Sequence, residues 1–346
     1  MRILFIADDV PFRAHGEKQV TAVNIVGYAL LSELQKLGHT VIVQWVVRNL
    51  RPVGSVMPAE QREMDALRAR GIEVLAPLYL ASYPLRASTA GSWTLLFSKT
   101  ERLKHFYASI LASADMQQRA KACRADAALT LWSFLGVGAT HGLAIPRVAY
   151  HGDIDFLPKQ AQWRDAALFS GKSALRPASW IPSLREGLRL RMFEAAHKEL
   201  MRSVTSIANV TASNAAYYRR LGHPRSVYAG NTWLASDTPI PRPQNARKKI
   251  IGHAGHLGRT GSTYGLSFLL HHVLPHLQAA MGNQDYEVHI IGDGKPAPGV
   301  RIPTNHPRVV WHGFIEDLDA ALAGCDAFCL FNNSGSYRAA YTRHIM

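Results

Sequence analysis

The stretch KIIGHAGHLGRTGSTYGLSFLLHHV, residues 249–273, decides the fold class of this chain. Its first residues, 249–253, form a short apolar run that predicts a buried β-strand. Glycines and small polar residues follow over 255–265, and apolar residues repeat at helical spacing over 266–280. A buried strand, a glycine loop and an amphipathic helix in this order are typical of a parallel sheet with helical crossovers.

The same alternation occurs on both sides of this stretch. After it, further strands are predicted at 286–291, 309–312 and 327–331, with a helix at 318–323. Before it, the predicted strands are 2–7, 39–47, 72–75, 127–132, 146–150 and 207–213. The helices after the first two strands are expected to end at Gly38 and Gly71. The chain is therefore predicted to be an α/β protein with two parallel sheets.

A proline-rich segment separates the two halves. Pro239, Pro241 and Pro243 alternate there with polar and basic residues, which favours an extended, stiff connection. We therefore predict an N-terminal Rossmann-like domain over residues 1–235, a linker over 236–248 and a C-terminal Rossmann-like domain over 249–346.

Composition excludes several classes of protein. Of the 346 residues 47% are hydrophobic and 18% are charged, which is typical of a globular chain. No apolar run approaches the roughly 18 residues that a membrane span needs. The three cysteines, Cys123, Cys325 and Cys329, show no metal-binding spacing. They are interpreted as reduced core residues of a cytoplasmic protein, and no metal is expected.

The net charge of +14 indicates an anionic partner. No nucleic-acid-binding motif accompanies it, so no nucleic acid is expected. Anionic substrates and an acidic membrane surface both remain as explanations. One segment fits the second: apolar residues repeat at helical spacing among arginines, predicting either an ordinary packed helix or a peripheral contact with an anionic membrane. The apolar residues are Trp180, Ile181, Leu184, Leu188 and Met192, and the arginines are Arg185, Arg189 and Arg191.

Several motifs resemble those of glycosyltransferase family 4, whose members have the two-domain GT-B fold. In the first half these are the tetrad beginning at Leu37 (LGHT) and the segment from Ala212 to Asn231. In the second half they are GHAGHL from Gly252, IIGDG from Ile290, and WHGFIEDL from Trp311 with AGCD after it. The resemblance implies a nucleotide-sugar donor and a glycan, lipid-linked or small-molecule acceptor. It also implies transfer with retention of configuration and no cofactor besides the donor.

The resemblance places the donor in loops that follow strands. A diphosphate leaving group needs backbone N–H groups, a helix N-terminus and cations. The donor-binding residues implied are Gly16, His256, Gly258, Arg259, Ser262, Gly292, Asp293, Gly294, Gly313 and Arg343. The chain departs from the common pattern, since His256 stands where many relatives carry an arginine. Thr342-Arg343 resembles a pair that serves in some branches, because arginine binds two phosphate oxygens at once.

The acceptor side centres on the end of the fifth predicted strand. His151 and Asp153 follow it, and the resemblance implies a histidine near the reacting sugar there. Its imidazole would donate a hydrogen bond or assist proton movement. A structural histidine at a loop remains the alternative. In retaining enzymes of this type the diphosphate itself can accept the acceptor's proton.

Three other kinds of protein share parts of this pattern. A dinucleotide oxidoreductase requires a Gly-x-Gly-x-x-Gly loop after the first strand, but the loop from Pro11 to Gly16 holds one glycine. A nucleotide-sugar epimerase shares the fold and the donor. A non-catalytic nucleotide-sugar-binding remnant is the third, because relatives carry two glutamates on a late helix and continue beyond it. Arg338 and Met346 stand at those positions, so the second domain is expected to be incomplete and the chain a poor catalyst.

Overall fold

The computed structural model describes residues 1–8, 22–47, 58–80, 92–171, 180–230, 249–302, 306–329 and 331. The strands are β1 Arg2–Ala7, β2 Thr40–Val47, β3 Glu73–Val74, β4 Leu78–Tyr79, β5 Ala127–Leu131, β6 Arg147–His151, β7 Ser206–Asn209, β8 Ser226–Tyr228, β9 Lys249–Ala254, β10 Tyr286–Ile291, β11 Val309–Gly313 and β12 Ala327–Phe328. The helices are α1 Ala22–Lys36, α2 Pro58–Ala69, α3 Ser92–Phe97, α4 Lys99–Phe106, α5 Ser113–Ala122, α6 Phe134–Ala139, α7 Leu157–Arg164, α8 Ala166–Ser170, α9 Trp180–Arg202, α10 Ala212–Arg220, α11 Thr260–Phe268, α12 Leu274–Met281 and α13 Leu318–Ala323.

The first sheet has the strand order β3-β2-β1-β5-β6-β7-β8, with β4 beside the end of β2. Its strand pairs are parallel, as the alternation predicts. The central strand β1 is the most enclosed, and Leu4, Phe5 and Ile6 have no exposed surface. Because the strand order reverses between β1 and β5, the carboxyl ends of these strands are where such sheets bind ligands.

Local sequence sets where the helices of this sheet begin and end. Gly38 and Gly71 follow α1 and α2 with left-handed backbones, as predicted. Ser133 caps α6, since its hydroxyl accepts the Gly136 N–H at 2.8 Å, and Thr211 caps α10 in the same way. Each cap contributes about 1 kcal/mol. The strand-to-helix turns after β5 and β7 are therefore fixed by side chains.

The chain divides into two compact units. The first is Met1–Phe156 with Leu188–Leu234, and the second is Leu157–Gly187 with Ala235–Met346. The predicted first domain of residues 1–235 thus differs from the structure, in which 157–187 belongs to the second unit. The cause is packing: Leu168 joins the apolar core of the second unit, and Ala161 packs on Tyr264. The predicted linker, 236–248, lies outside the described residues.

The second unit holds a smaller parallel sheet in the order β11-β10-β9-β12. Val288, Ile290 and Leu266 lie in its core with no exposed surface. The helix after β9 starts at Thr260, six residues earlier than predicted, because small polar residues fill its first turn instead of forming a loop. It continues through a π-helical turn, Leu269–Val273, into α12.

Candidate functional site

Three glycines mark the carboxyl ends of three neighbouring strands in the second unit. Gly255 follows β9, Gly292 follows β10 and Gly313 ends β11, and all three have positive φ angles of 154°, 141° and 67°. The Gly255 N–H donates to the Ile291 carbonyl at 3.0 Å, and the Gly292 N–H donates to the Gly313 carbonyl at 2.7 Å. These bonds join the three loops into one backbone surface at the sheet edge.

The first two loops meet with no room for a side chain. A Cβ on Gly292 would overlap the carbonyl oxygen of Gly255, and the three atoms nearest to it all belong to the Gly255 backbone. A Cβ on Gly255 would lie 2.8 Å from the Ser262 hydroxyl. Close approach of bare backbone to a ligand or to another loop is what glycine permits. Glycine is therefore required at positions 255 and 292, because a Cβ at either would lie too close to neighbouring atoms.

His256 lies over the turn after β10. A Cβ on Gly294 would lie 2.7 Å from its ring, and one on Gly258 would lie 3.5 Å from it. The Leu257 N–H donates to the Asp293 carbonyl at 2.9 Å, which ties the two loops together beneath the ring. His256, Arg259 and Asp293 are exposed, so their side chains are accessible at this edge.

The N-terminus of α11 opens beside these loops. Its N-cap residue, Arg259, makes no side-chain cap and the first turn carries no acidic residue. By contrast, the N-termini of α4, α6, α10 and α13 are each capped by a side chain. The first N–H groups of a helix have no partner within it, and they favour an anion. With Arg259 and Lys295 as exposed cations, the edge can hold a phosphate group, although Asp293 opposes it.

The sequence-predicted donor residues divide into two groups. The structure brings together the glycines at 255, 258, 292, 294 and 313 with His256, Arg259, Ser262 and Asp293. Gly16 and Arg343 lie outside the described residues. Sequence reasoning missed Lys295, whose carbonyl lies beside Gly258, and it missed Gln162 in α7 and Asp165 directly after that helix. Lys295 follows Gly294 directly, so its charge beside a glycine turn was an available signal.

In the first unit, His151 ends β6 as predicted but is enclosed. It is 1% exposed, and its ring stacks on Phe134 with centroids 4.3 Å apart. Its Nε2 atom has no hydrogen-bond partner in the described part of the chain. Burial lowers the pKa of His151 to about 3, so the imidazole is neutral at physiological pH. Asp153, two residues on, is half-buried.

A second buried histidine belongs to a chain of hydrogen bonds in the same unit. Tyr107 donates to Asp155 at 3.3 Å, and its oxygen lies 3.0 Å from His197 Nδ1. His197 Nε2 lies 2.7 Å from the Tyr218 hydroxyl. Because Tyr107 gives its proton to the carboxylate, His197 must donate from Nδ1 and accept at Nε2. Burial, with smaller contributions from His151 and Lys198, lowers the pKa of His197 to about 3.

Two negative findings concern the described residues alone. Among them, no group of three or more histidine, cysteine or acidic side chains is arranged to hold a metal ion. No helix in the described ranges has the length and apolar character needed to cross a membrane.

One family of known proteins matches part of the second unit. The glycosyl transferases group 1 family matches residues 248–338, about a quarter of the chain. No curated protein is significantly similar to the sequence.

Among solved structures, the glycosyltransferase SnogD from Streptomyces nogalater is 18% identical over 95% of this chain and 75% of its own, with a TM-score of 0.39. TarM of S. aureus, solved with UDP, is 10% identical over 95% and 80%, with a TM-score of 0.47. A UDP-N-acetylglucosamine 2-epimerase from Rickettsia bellii is 10% identical over 95% and 73%, with a TM-score of 0.39. With TM-scores below 0.5, these three carry no weight for function, whereas the family match covers the strands and glycine loops described above. Residues 248–338, the greater part of the second unit, therefore match the glycosyl transferases group 1 family.

Proposed function

We propose that the chain transfers a sugar from a nucleotide-sugar donor to a glycan, lipid-linked or small-molecule acceptor, and that the second unit holds the donor diphosphate. The observation that carries the proposal is the meeting of the Gly255 and Gly292 loops beside the uncapped N-terminus of α11. Such an edge offers N–H groups, room for close approach and positive charge together.

The chemistry needs stabilisation of the leaving diphosphate above all. Charge builds on its oxygens as the bond to the sugar breaks, and preorganised N–H donors oppose that charge without rearranging. Arg259 and Lys295 add mobile positive charge at the same edge. We propose retention of configuration, in which the departing diphosphate accepts the acceptor's proton. The enclosed His151, with its low pKa, suits a neutral hydrogen-bonding or positioning role better than that of a general base.

The first prediction concerns the donor nucleotide. In a thermal-shift panel of UDP, GDP and NAD, one diphosphate is expected to stabilise the protein and NAD is not. A ligand at 100 times its Kd adds about 2.7 kcal/mol, which corresponds to roughly 5–10 °C for a unit of this size. Stabilisation by NAD without a response to UDP or GDP would instead favour the dinucleotide enzyme.

A pair of arginine variants provides the control for this panel. Arg259→Ala removes a cation from the helix N-terminus and should weaken diphosphate binding roughly tenfold at low salt. Arg301→Ala removes another exposed cation of the same unit, one that belongs to none of the three glycine loops, and should leave binding unchanged. Equal effects of the two variants would mean that only net charge matters.

We further propose a cytoplasmic location with peripheral contact to an anionic membrane. The three cysteines are free thiols, which supports a reducing compartment. In α9, Leu184 is 77% exposed and Leu188 is 41% exposed, beside the exposed Arg185 and Arg191. Met192, further along the predicted stripe, is buried, while the side chains of Trp180 and Ile181 lie outside the description. Leu184 and Leu188 of this stripe are thus available to a bilayer.

Vesicle flotation tests this contact. The protein should float with vesicles of equal parts phosphatidylglycerol and phosphatidylcholine at low salt, and lose this at high salt because screening weakens surface attraction. The double variant Leu184→Ser with Leu188→Ser should abolish flotation. Leu37→Ser, at a leucine 71% exposed in the turn after α1, should not. Flotation that persists in the double variant would refute the contact.

A further inference from the structure

The inserted segment, residues 157–171, leaves the first unit directly after the loop that carries His151 and Asp153. It forms α7 and α8 and packs within the second unit. Five residues, 152–156, separate it from His151. The segment therefore connects the end of β6 in one unit to the domain that carries the glycine loops.

One side of the inserted segment contacts α11. Gln162 Nε2 donates to the Thr260 hydroxyl oxygen at 2.8 Å, on the first residue of that helix. The Tyr264 hydroxyl donates to the Asp165 carboxylate in a short hydrogen bond, and Phe169 packs edge-on against the Tyr264 ring with centroids 5.3 Å apart. Because Gln162 supplies the proton in its bond, Thr260 keeps its own O–H as a donor.

Another part of the inserted segment contacts the loop after β10. The Gly299 N–H donates to the Leu168 carbonyl at 2.9 Å. A Cβ on Gly299 would overlap the backbone of Ala167 and Leu168, and one on Gly171 would lie 3.3 Å from Pro298. Leu168 also packs into the apolar core of the unit. The segment thus holds the start of α11 and the stretch that continues from the Gly292 turn.

We propose that Gln162 and Asp165 are positioning residues for the donor site, through which the inserted segment fixes the N-terminus of α11 against the Gly292 loop. This rests on the proposed function in one respect, the diphosphate as ligand. Helix N–H groups stabilise an anion only if they are aimed at it, and a shift of about 1 Å at such a site is costly. Here the side-chain hydrogen bonds of Gln162 to Thr260 and of Tyr264 to Asp165 set the direction in which these N–H groups point.

Two variants and two matched controls test the proposal. Tyr264→Phe removes the hydroxyl that binds Asp165, and Gln162→Ala removes the donor to Thr260. The control Tyr286→Phe removes a buried hydroxyl that has no partner among the described residues, and Gln278→Ala removes an exposed glutamine of α12. Affinity for UDP and GDP is measured by calorimetry, and amide hydrogen exchange is followed over residues 257–266 and 295–300.

Each test variant should weaken binding of the preferred diphosphate roughly tenfold, the usual cost of a lost hydrogen bond to a charged or oriented group. The melting temperature of the unliganded protein should change little, while exchange over 257–266 should become roughly tenfold faster. A merely structural role would lower the melting temperature without this local effect. The controls should match the unsubstituted protein in every measurement.

Unchanged exchange over 257–266 in both test variants would overturn the proposal, whatever the ligand. Faster exchange with unchanged diphosphate affinity would overturn it as well, because the orientation of α11 would then have no effect on diphosphate binding. If the unsubstituted protein binds neither UDP nor GDP, neither is the donor nucleotide, and exchange alone decides whether the segment holds α11.

Discussion

Gly292→Ala is expected to abolish diphosphate binding and to destabilise the second unit. The added Cβ would overlap the Gly255 carbonyl, and its nearest neighbours are backbone atoms that cannot turn aside as a side chain would. The φ angle of 141° is also unfavourable for alanine. Overpacking and backbone strain together cost on the order of 3 kcal/mol. Relief requires the two loops to separate, which moves the N–H groups proposed to bind phosphate.

Gly282→Ala is the matched control for this variant. Gly282 also has a positive φ angle, 54°, but a Cβ there would meet nothing within 4 Å. Its cost is therefore backbone strain alone, about 1–3 kcal/mol, with diphosphate affinity unchanged. Urea unfolding and calorimetry with UDP and GDP measure both effects. If Gly292→Ala behaves like Gly282→Ala, the contact between the two loops does not shape the site.

The sequence was sufficient to predict most of the strands and the loops that follow them, but not the short strands β4 and β8. The continuous apolar run of β1 reports burial on both faces of a parallel sheet, and glycines directly after β9 and β10 report a tight strand-to-helix turn. Both signals are local, so Gly255, Gly292 and Gly313 could be named without a structure. That they meet at one edge follows from parallel order alone.

Other features depend on distant contacts and could not be predicted. The sequence of α7 indicates a helix but not its partner, so Gln162 and Asp165 were assigned to the wrong domain. The start of α11 was misplaced because Gly261, Ser262 and Thr263 have low helix propensity, yet tertiary packing holds Gly261 and Thr263 buried in the helix. The enclosure of His151 depends on Phe134, which comes from another strand-to-helix turn.

Acid is expected to destabilise the first unit strongly through two of its buried histidines, His151 and His197. His151 and His197 have folded pKa values of about 3, against 6.5 for an unperturbed histidine. Above pH 6.5 neither the folded nor the unfolded state gains a proton. Between 6.5 and 3 the unfolded chain binds one more proton per histidine, so the free energy of unfolding falls as pH falls. The slope is about 1.4 kcal/mol per pH unit for each histidine, and the two together cost about 4 kcal/mol at pH 5.

This loss is comparable with the whole stability of a typical domain, about 5–15 kcal/mol, so the first unit should unfold well above pH 3. Urea unfolding at several pH values between 7 and 5 gives the slope of the unfolding free energy against pH. This slope is proportional to the number of protons taken up on unfolding. His151→Gln and His197→Gln should each remove about one proton from that count, even though His197→Gln also weakens the protein at pH 7 by leaving Tyr107 and Tyr218 without their partner. His105→Gln replaces a histidine exposed in the folded protein and should leave the slope unchanged. A slope that stays the same in His151→Gln would show that this imidazole reaches solvent and is charged in the folded state, and would restore it as a candidate general base.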